Sequence, residues 1–207
     1  IIGLFRLWWI PEGRPPSEGT YVRYDHEAMV GVLALEAERA GAVVVGEDLG
    51  VVEASAREYL ASRGVLGTSI LWFERDDQGR PLPAERWREY CLASVTTHDL
   101  PPTAGYLTAE HVKLRDRLGL LTRPFEEETA ADSAERESWL AELRSRGLLE
   151  EHADIEQIVE ALHRYLTLTP ARLLCVSLAD AVGDRRTQNQ PGTTDEYPNW
   201  RVPLSGP

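Results

Sequence analysis

The sequence predicts an α/β fold in which short hydrophobic strands alternate with helices along the chain. Two observations indicate this fold. Four short segments rich in β-branched or apolar residues are typical of buried strands, and the stretches between them repeat their apolar residues at helical spacing. Because a parallel crossover needs a dozen or more residues and usually contains a helix, the alternation indicates βα units around a parallel sheet.

The first part of the chain is predicted to hold two helices, each followed by a strand. A helix is expected over 26–40, with Gly41 suited to end it, and a second over 52–63, which Gly64 follows. The corresponding strands are 42–45 and 68–73. Pro81 and Pro83 then mark a loop.

The second part of the chain continues the alternation. Its predicted strands are 93–97 and 173–178, and its predicted helices are 104–118 and 154–168. Four strands covered on both faces are compatible with a small doubly wound sheet or with half of an eight-stranded barrel, and the pattern alone leaves both open.

Two further segments stand outside the alternation. The highly charged stretch 122–147 has helical spacing around Trp139 and Leu143, which indicates a helical insertion on the outside of a barrel. The stretch 183–207 is rich in glycine and proline and has no sustained period, so we expect a long loop. Long loops within compact domains are uncommon unless they shape a binding site.

Composition excludes several classes of partner. The 34 acidic and 22 basic residues give a net charge of −12, which disfavours binding to nucleic acid or anionic lipid. No stretch approaches the ~20 apolar residues that span a bilayer. Residues 1–10 contain Arg6 and lack a signal-peptide cleavage pattern, so we expect a cytoplasmic protein. Cys91 and Cys175 lie far apart in apolar contexts, which predicts two buried, reduced thiols.

The first candidate site lies where a hydrophobic run meets two carboxylates, Glu47 and Asp48. Barrel and doubly wound enzymes place catalytic groups at such strand ends. The alternative is structural: either carboxylate would suit the cap of the helix expected near Val52, or would only solvate the strand end.

A second strand end, 94–97, leads directly into His98 and Asp99. These residues would also suit a local turn before Pro101. Paired with Glu47, however, Asp99 completes the two carboxyl groups that glycoside chemistry requires. A general acid at neutral pH needs a raised pKa, so we expect Glu47 to be partly buried, with Asp99 ionised beside the positive transition state.

Two other interpretations concern aromatic residues and metals. Aromatic faces pack on pyranose rings, and five residues are suitably placed, although most large aromatics fill cores: Trp8, Trp9, Trp72, Tyr106 and Trp200. A metal site would draw on Glu47, Asp48, His98, Asp99 and Asp180. No two histidines have ligand spacing, so we expect no metal.

Four motifs, in order, carry a family resemblance: GLFRLWWIPEG at 3–13, VVVGEDLG at 43–50, VTTHDLPP at 95–102 and NQPGTTDEYPNW at 189–200. Together they resemble the 4-α-glucanotransferases of glycoside hydrolase family 77. The resemblance implies a (β/α)₈ barrel that acts on α-1,4-glucans and a sugar acceptor by retaining double displacement, without a cofactor.

The resemblance also implies roles for individual residues. Glu47 would be the general acid/base and Asp99 the transition-state stabiliser. Asp48 and His98 would contact sugar hydroxyls, and Asn189 would lie in a loop on the donor side of the cleft.

The chain departs from the family pattern in two places. The family's nucleophile is the aspartate of an Arg-x-Asp-His motif just before the residues matching 1–4, and this chain has no such motif. Ala179 stands where the family often has an acidic residue before Asp180. We therefore expect residues 1–207 to be the C-terminal part of the catalytic domain, about strands five to eight, cut at both ends and inactive alone.

A half-barrel has one structural consequence, and two alternative functions stay open. Its unpaired strand edges would promote self-association. A non-catalytic glucan-binding or structural fragment would use the same loops without the chemistry. An α-glucan hydrolase would differ from a transferase only in using water as the acceptor.

Overall fold

The computed structural model describes residues 1–205 and divides the chain into two compact units. The first unit comprises Ile1–Ser69 and Tyr90–Leu92, and the second comprises Ile70–Glu89 and Ala93–Pro207. Residues 206 and 207 of the predicted final loop lie outside the described residues.

The first unit begins with an antiparallel hairpin that the sequence pattern did not predict. Strands β1 (Arg6–Trp9) and β2 (Thr20–Arg23) pair so that Arg6 lies opposite Arg23 and Trp9 opposite Thr20. The connection is ten residues long instead of a two-residue turn, so it lacks the usual hairpin signature.

Two helices follow the hairpin. Helix α1 (His26–Ala40) has the predicted bounds, because Asp25 accepts a hydrogen bond from the Ala28 amide and Gly41 ends the helix at φ 60°. Helix α2 (Ala54–Ser62) starts two residues later than predicted. The small core between these elements contains Val30, Leu60 and Val65.

The predicted strand 42–45 is wrong in extent. Only Val45 forms a β-bridge, with Leu66 and in parallel orientation, and Val43 is 68% exposed. A regular parallel strand requires a continuous ladder with its neighbour. Here the pairing is limited to the bonds that Leu66 exchanges with Val44 and Gly46.

Three short strands form the second sheet in the order β3 (Gly67–Ile70), β4 (Cys91–Ser94) and β5 (Leu173–Cys175). Each ends earlier than predicted, because the apolar residues beyond it turn into other structure. A 3₁₀ turn follows β3, and the short helix α7 (Leu178–Ala181) follows β5.

The last strand corrects two predictions. All three residues of β5 are exposed, so it is not the buried strand that its composition indicated. Cys175 is therefore exposed, whereas Cys91 on β4 is buried as predicted. An apolar run cannot by itself reveal whether a face is covered.

Helices dominate the second unit. Their bounds are α3 (Thr103–Leu107), α4 (Glu110–Arg117), α5 (Phe125–Ser145) and α6 (Ile155–Leu166). The predicted helix 104–118 is broken because Ala109 adopts a left-handed conformation, φ 56°. Helix α6 starts one residue later than predicted, after a capping box in which Asp154 and Gln157 exchange hydrogen bonds, and ends two residues earlier.

The core of the second unit is aromatic. Trp139 on α5 packs edge-on against Tyr165 on α6, and Trp72 stacks on Tyr106 at 4.0 Å between ring centroids. Helix α5 lies within the predicted helical stretch 122–147, and its Trp139 and Leu143 are buried. Trp72 and Tyr106 thus fill the core, which removes them from the candidate sugar contacts.

A buried polar network borders this core. His111 Nε2 lies 3.0 Å from Asp132 Oδ1, Arg136 also pairs with Asp132, and the His111 ring stacks on Tyr106. Burial, followed by the Arg136 charge, lowers the pKa of His111 to about 4.

This network predicts a pH-dependent stability. Since the pKa of His111 is lower in the folded protein than in the unfolded chain, the unfolded chain binds more protons below neutrality. We expect stability to fall as pH drops from about 6.5 to about 4, by up to about 3 kcal/mol. Hydrogen exchange of the α5 amides in the full-length protein would measure this, and His111→Asn should flatten the slope. An unchanged slope in the variant would contradict the assignment.

Candidate active site

Glu47 stands in the first unit, directly after the bridge between Val45 and Leu66. Its side chain is exposed, and its carboxylate accepts a hydrogen bond from the Leu49 amide. The expectation of partial burial is therefore wrong in this structure, because Glu47 lies in the irregular segment that follows the bridge and its side chain is exposed there. The helix-cap alternative is also wrong, since Glu53 occupies the N-cap of α2.

Asp48 differs from its neighbour in being buried, with 2% exposure. Its Oδ1 accepts a hydrogen bond of 2.9 Å from the Thr68 amide on β3. Its Oδ2 lies 3.3 Å from Arg57 Nε on α2. The carboxylate thus ties the loop after Glu47 to a strand and to a helix.

The second unit holds the other candidate residues as one cluster. Asn189 Nδ2 donates to Asp99 Oδ1 at 2.7 Å, and its main-chain amide donates to the His98 carbonyl at 3.3 Å. His98 Nε2 lies 3.4 Å from Asp99 Oδ1, and the His98 ring lies 5.1 Å from that of Trp200. The structure therefore joins the motif at 95–102 to the motif at 189–200.

This cluster is open to solvent. The side chains of His98 and Asp99 are 63% and 50% exposed, and Trp200 is 63% exposed. Trp200 also has a left-handed backbone, φ 61°, with its amide bonded to the Gln188 carbonyl. A large residue in that conformation is strained, and such strain is concentrated at functional sites.

Side-chain hydrogen bonds to the backbone hold the loop that carries Asn189 and Trp200. Asn199 Oδ1 accepts from the Gln190 amide at 2.8 Å, and the Tyr197 hydroxyl donates to the Thr187 carbonyl. These bonds explain how residues 183–205 keep a defined path without helix or strand, as predicted for that part of the loop.

A buried carboxylate anchors the same loop. Asp184 accepts hydrogen bonds from the Arg186 side chain and from Ser205. The Arg186 guanidinium holds the pKa of Asp184 far below its usual value. Stability from this anchor is present above the ordinary aspartate pKa and is lost as pH falls.

Asp180 takes no part in the cluster. It is buried and accepts two hydrogen bonds of 2.7 Å from Thr103, from the amide and from the hydroxyl. It therefore fixes the start of α3. Within residues 1–205, no group of three or more His, Cys, Asp or Glu side chains is arranged to hold a metal ion.

Sequence reasoning did not identify three residues that shape these loops: Arg57, Thr68 and Asn199. Arg57 and Thr68 lie on neighbouring elements and carry no local motif, so only the fold could reveal them. Asn199 lies next to Trp200 within the recognised motif, and its position before an aromatic residue in a proline-rich loop was the available signal.

Exposed carboxylates and a carboxylate beside an exposed aromatic ring are groups typical of carbohydrate-active enzymes. Comparison with known proteins identifies the particular family. Residues 1–206 match the glycoside hydrolase 77 family, 4-alpha-glucanotransferase, and the chain belongs to it. The resemblance drawn from the four motifs is confirmed.

Relatives and solved structures agree with this family. The chain is 70% identical to the 4-alpha-glucanotransferase of Mycobacterium tuberculosis and 29% identical to that of Haemophilus influenzae, with all of this chain aligned. It spans 29% and 31% of the length of these two relatives.

Among solved structures, the amylomaltase of Corynebacterium glutamicum matches 98% of the chain and 30% of its own length, with 48% identity and a TM-score of 0.93. An amylomaltase of Streptococcus agalactiae, solved in complex with acarbose, shares 20% identity at a TM-score of 0.66 and covers 96% of this chain and 34% of its own. The second likeness shows the fold alone. The α/β fold is thus that of a region of amylomaltase.

Within residues 1–205, no helix is long and apolar enough to cross a membrane.

Proposed function

We propose that this chain forms part of a 4-α-glucanotransferase, an enzyme that moves a glucan segment from one α-1,4-linked chain to the 4-hydroxyl of another sugar. The observation that carries the proposal is the 2.7 Å hydrogen bond between Asn189 and Asp99, which joins two of the four family motifs into one polar cluster. The chain supplies about strands five to eight of a (β/α)₈ barrel, with 122–147 as a helical insertion.

The first half of the reaction breaks the glycosidic bond. A carboxylate from a part of the enzyme that this chain does not span attacks the anomeric carbon, and Glu47 gives its proton to the departing 4-oxygen. The exposed position of Glu47 leaves its carboxyl group accessible to a bound glucan. The products of this step are a shortened glucan and a covalent glycosyl-enzyme.

The second half returns the nucleophile to its free state. Glu47, now ionised, takes the proton from an acceptor 4-hydroxyl, and the acceptor oxygen displaces the enzyme carboxylate. Positive charge develops on the sugar ring in both steps. Asp99, oriented by Asn189, stabilises that charge electrostatically.

Substrate binding follows from the groups exposed around the cluster. The Trp200 and His98 side chains offer an aromatic face and a hydrogen-bonding group to a neutral sugar. Trp8 and Trp9, on the hairpin of the first unit, are also exposed. The Trp8 ring already packs edge-on against Tyr21, and the exposed parts of both rings offer apolar surface to a sugar. Neither role requires a cofactor. Cytoplasmic location and self-association through open edges stay predictions.

Incubation of the full-length protein with maltotriose tests the function. Transfer would yield glucose and maltopentaose, followed by longer products, while the number of reducing ends stays constant. A rise in reducing ends would identify a hydrolase instead. Binding of amylose without any new product would identify a non-catalytic glucan-binding protein and would refute the proposal.

A further inference from the structure

Glu47 and Asp48 are adjacent carboxylates with opposite environments. Glu47 is exposed, whereas the Asp48 side chain is 3% exposed. Because the two residues are adjacent, the contacts that bury Asp48 also fix the stretch of main chain from which the Glu47 side chain extends. The direction of Glu47 is therefore linked to the placement of Asp48.

The contacts of Asp48 lead to two separate elements. Thr68 on β3 donates its amide to Oδ1 at 2.9 Å. Arg57 on α2 places Nε 3.3 Å from Oδ2, and its Nη2 donates to the Asp48 carbonyl at 3.0 Å. Since Arg57 holds both the side chain and the main chain of Asp48, rotation of this residue would break several contacts together.

The residue on the other side of Glu47 is held as well. The Gly46 amide donates to the Leu66 carbonyl at 2.8 Å, and Thr68 Oγ1 donates to the Gly46 carbonyl at 3.3 Å. A Cβ atom at Gly46 would come within 2.9 Å of the Ile1 side chain, so the main chain packs closely there. Glu47 thus lies between two residues fixed to the same strand segment.

These contacts leave the Asp48 carboxylate unsuited to bind a sugar hydroxyl, because a buried group with partners at both oxygens does not meet substrate. We infer that Asp48 is a positioning residue: together with Arg57 and Thr68, it holds the loop so that Glu47 delivers its proton at the correct point. This inference rests on the proposed function, because it assigns Asp48 to the acid/base step.

Kinetics of Asp48→Ala in the full-length protein would test the inference. We expect kcat with maltotriose to fall about 10- to 100-fold, since a shift of about 1 Å in a catalytic group has an effect of this size, while KM changes less than about threefold. In a Glu47→Gln background the same substitution should add almost nothing, because the group it positions is already disabled. Arg57→Gln should reproduce the effect more weakly.

A donor that needs no protonation separates positioning from general damage. With α-maltosyl fluoride, the first step of Asp48→Ala should approach the wild-type rate. Asp25→Ala removes another aspartate contact in the same unit, the N-cap of α1, and serves as the control for lost stability. A raised KM with unchanged kcat, or full additivity with Glu47→Gln, would overturn the inference. Absence of transfer by the wild-type protein would overturn the proposed function as well.

Discussion

Replacing Glu47 by glutamine in the full-length protein should lower kcat for maltotriose disproportionation by roughly 10²- to 10⁴-fold. Glutamine keeps the size of the side chain and can still accept a hydrogen bond from the Leu49 amide, but it carries no acidic proton. The substitution therefore leaves the loop intact, and the fall in kcat measures the contribution of proton transfer. Initial rates of glucose release, measured by chromatography, give the value.

The chemistry of retaining enzymes sharpens this expectation. Fluoride leaves without a proton, so Glu47→Gln should still form the glycosyl-enzyme from α-maltosyl fluoride. The second step should then be slow, because no base activates the acceptor hydroxyl. Azide, which needs no base, should restore turnover and produce an α-glycosyl azide.

Glu53→Gln provides a matched control for this prediction. Glu53 is an exposed glutamate of the same unit, only six residues along the chain, and its carboxylate pairs with Arg6 at 2.8 Å. Exposed ion pairs contribute little to stability, so this variant should keep its rate within about twofold. Near-normal disproportionation by Glu47→Gln would exclude Glu47 as the acid/base.

The helices were easier to predict from the sequence than the strands. Helix α1 has an aspartate cap and a terminal glycine, and α6 has a capping box, so residues next to these helices in the sequence predict where they begin or end. A strand depends on pairing with segments that are distant in the sequence, and the local residues do not identify those segments. The apolar run at 42–45 therefore yields one bridge, and β5 is exposed despite its hydrophobic residues.

The candidate site was likewise predictable from the sequence only in part. The motifs pointed to Glu47, Asp99 and Asn189, but the bond between the last two joins residues 90 positions apart, which no spacing rule predicts. The sequence also could not distinguish Glu47 from Asp48, because their environments depend on Arg57 and Thr68. Proximity in space had to come from the fold.

The Asp99 cluster predicts a second large effect. Asp99→Asn removes the negative charge that faces the developing positive charge on the sugar, and we expect kcat to fall about 10²- to 10³-fold with a small change in KM. Product formation from maltotriose in the full-length protein measures both values. Asp116→Asn, at an exposed aspartate on α4, is the control for a change of one charge and should be close to wild type.

Asn189 allows the role of Asp99 to be separated from that of its surroundings. Asn189→Ala removes the 2.7 Å hydrogen bond that orients Asp99 but leaves the charge, so its effect should be smaller, about tenfold in kcat. In an Asp99→Asn background, Asn189→Ala should lower kcat by much less than tenfold, since Asn189 acts through Asp99. If the two effects multiply in full, Asn189 contacts the substrate independently of Asp99. If Asp99→Asn has wild-type kcat, the charge at this position does not stabilise the transition state.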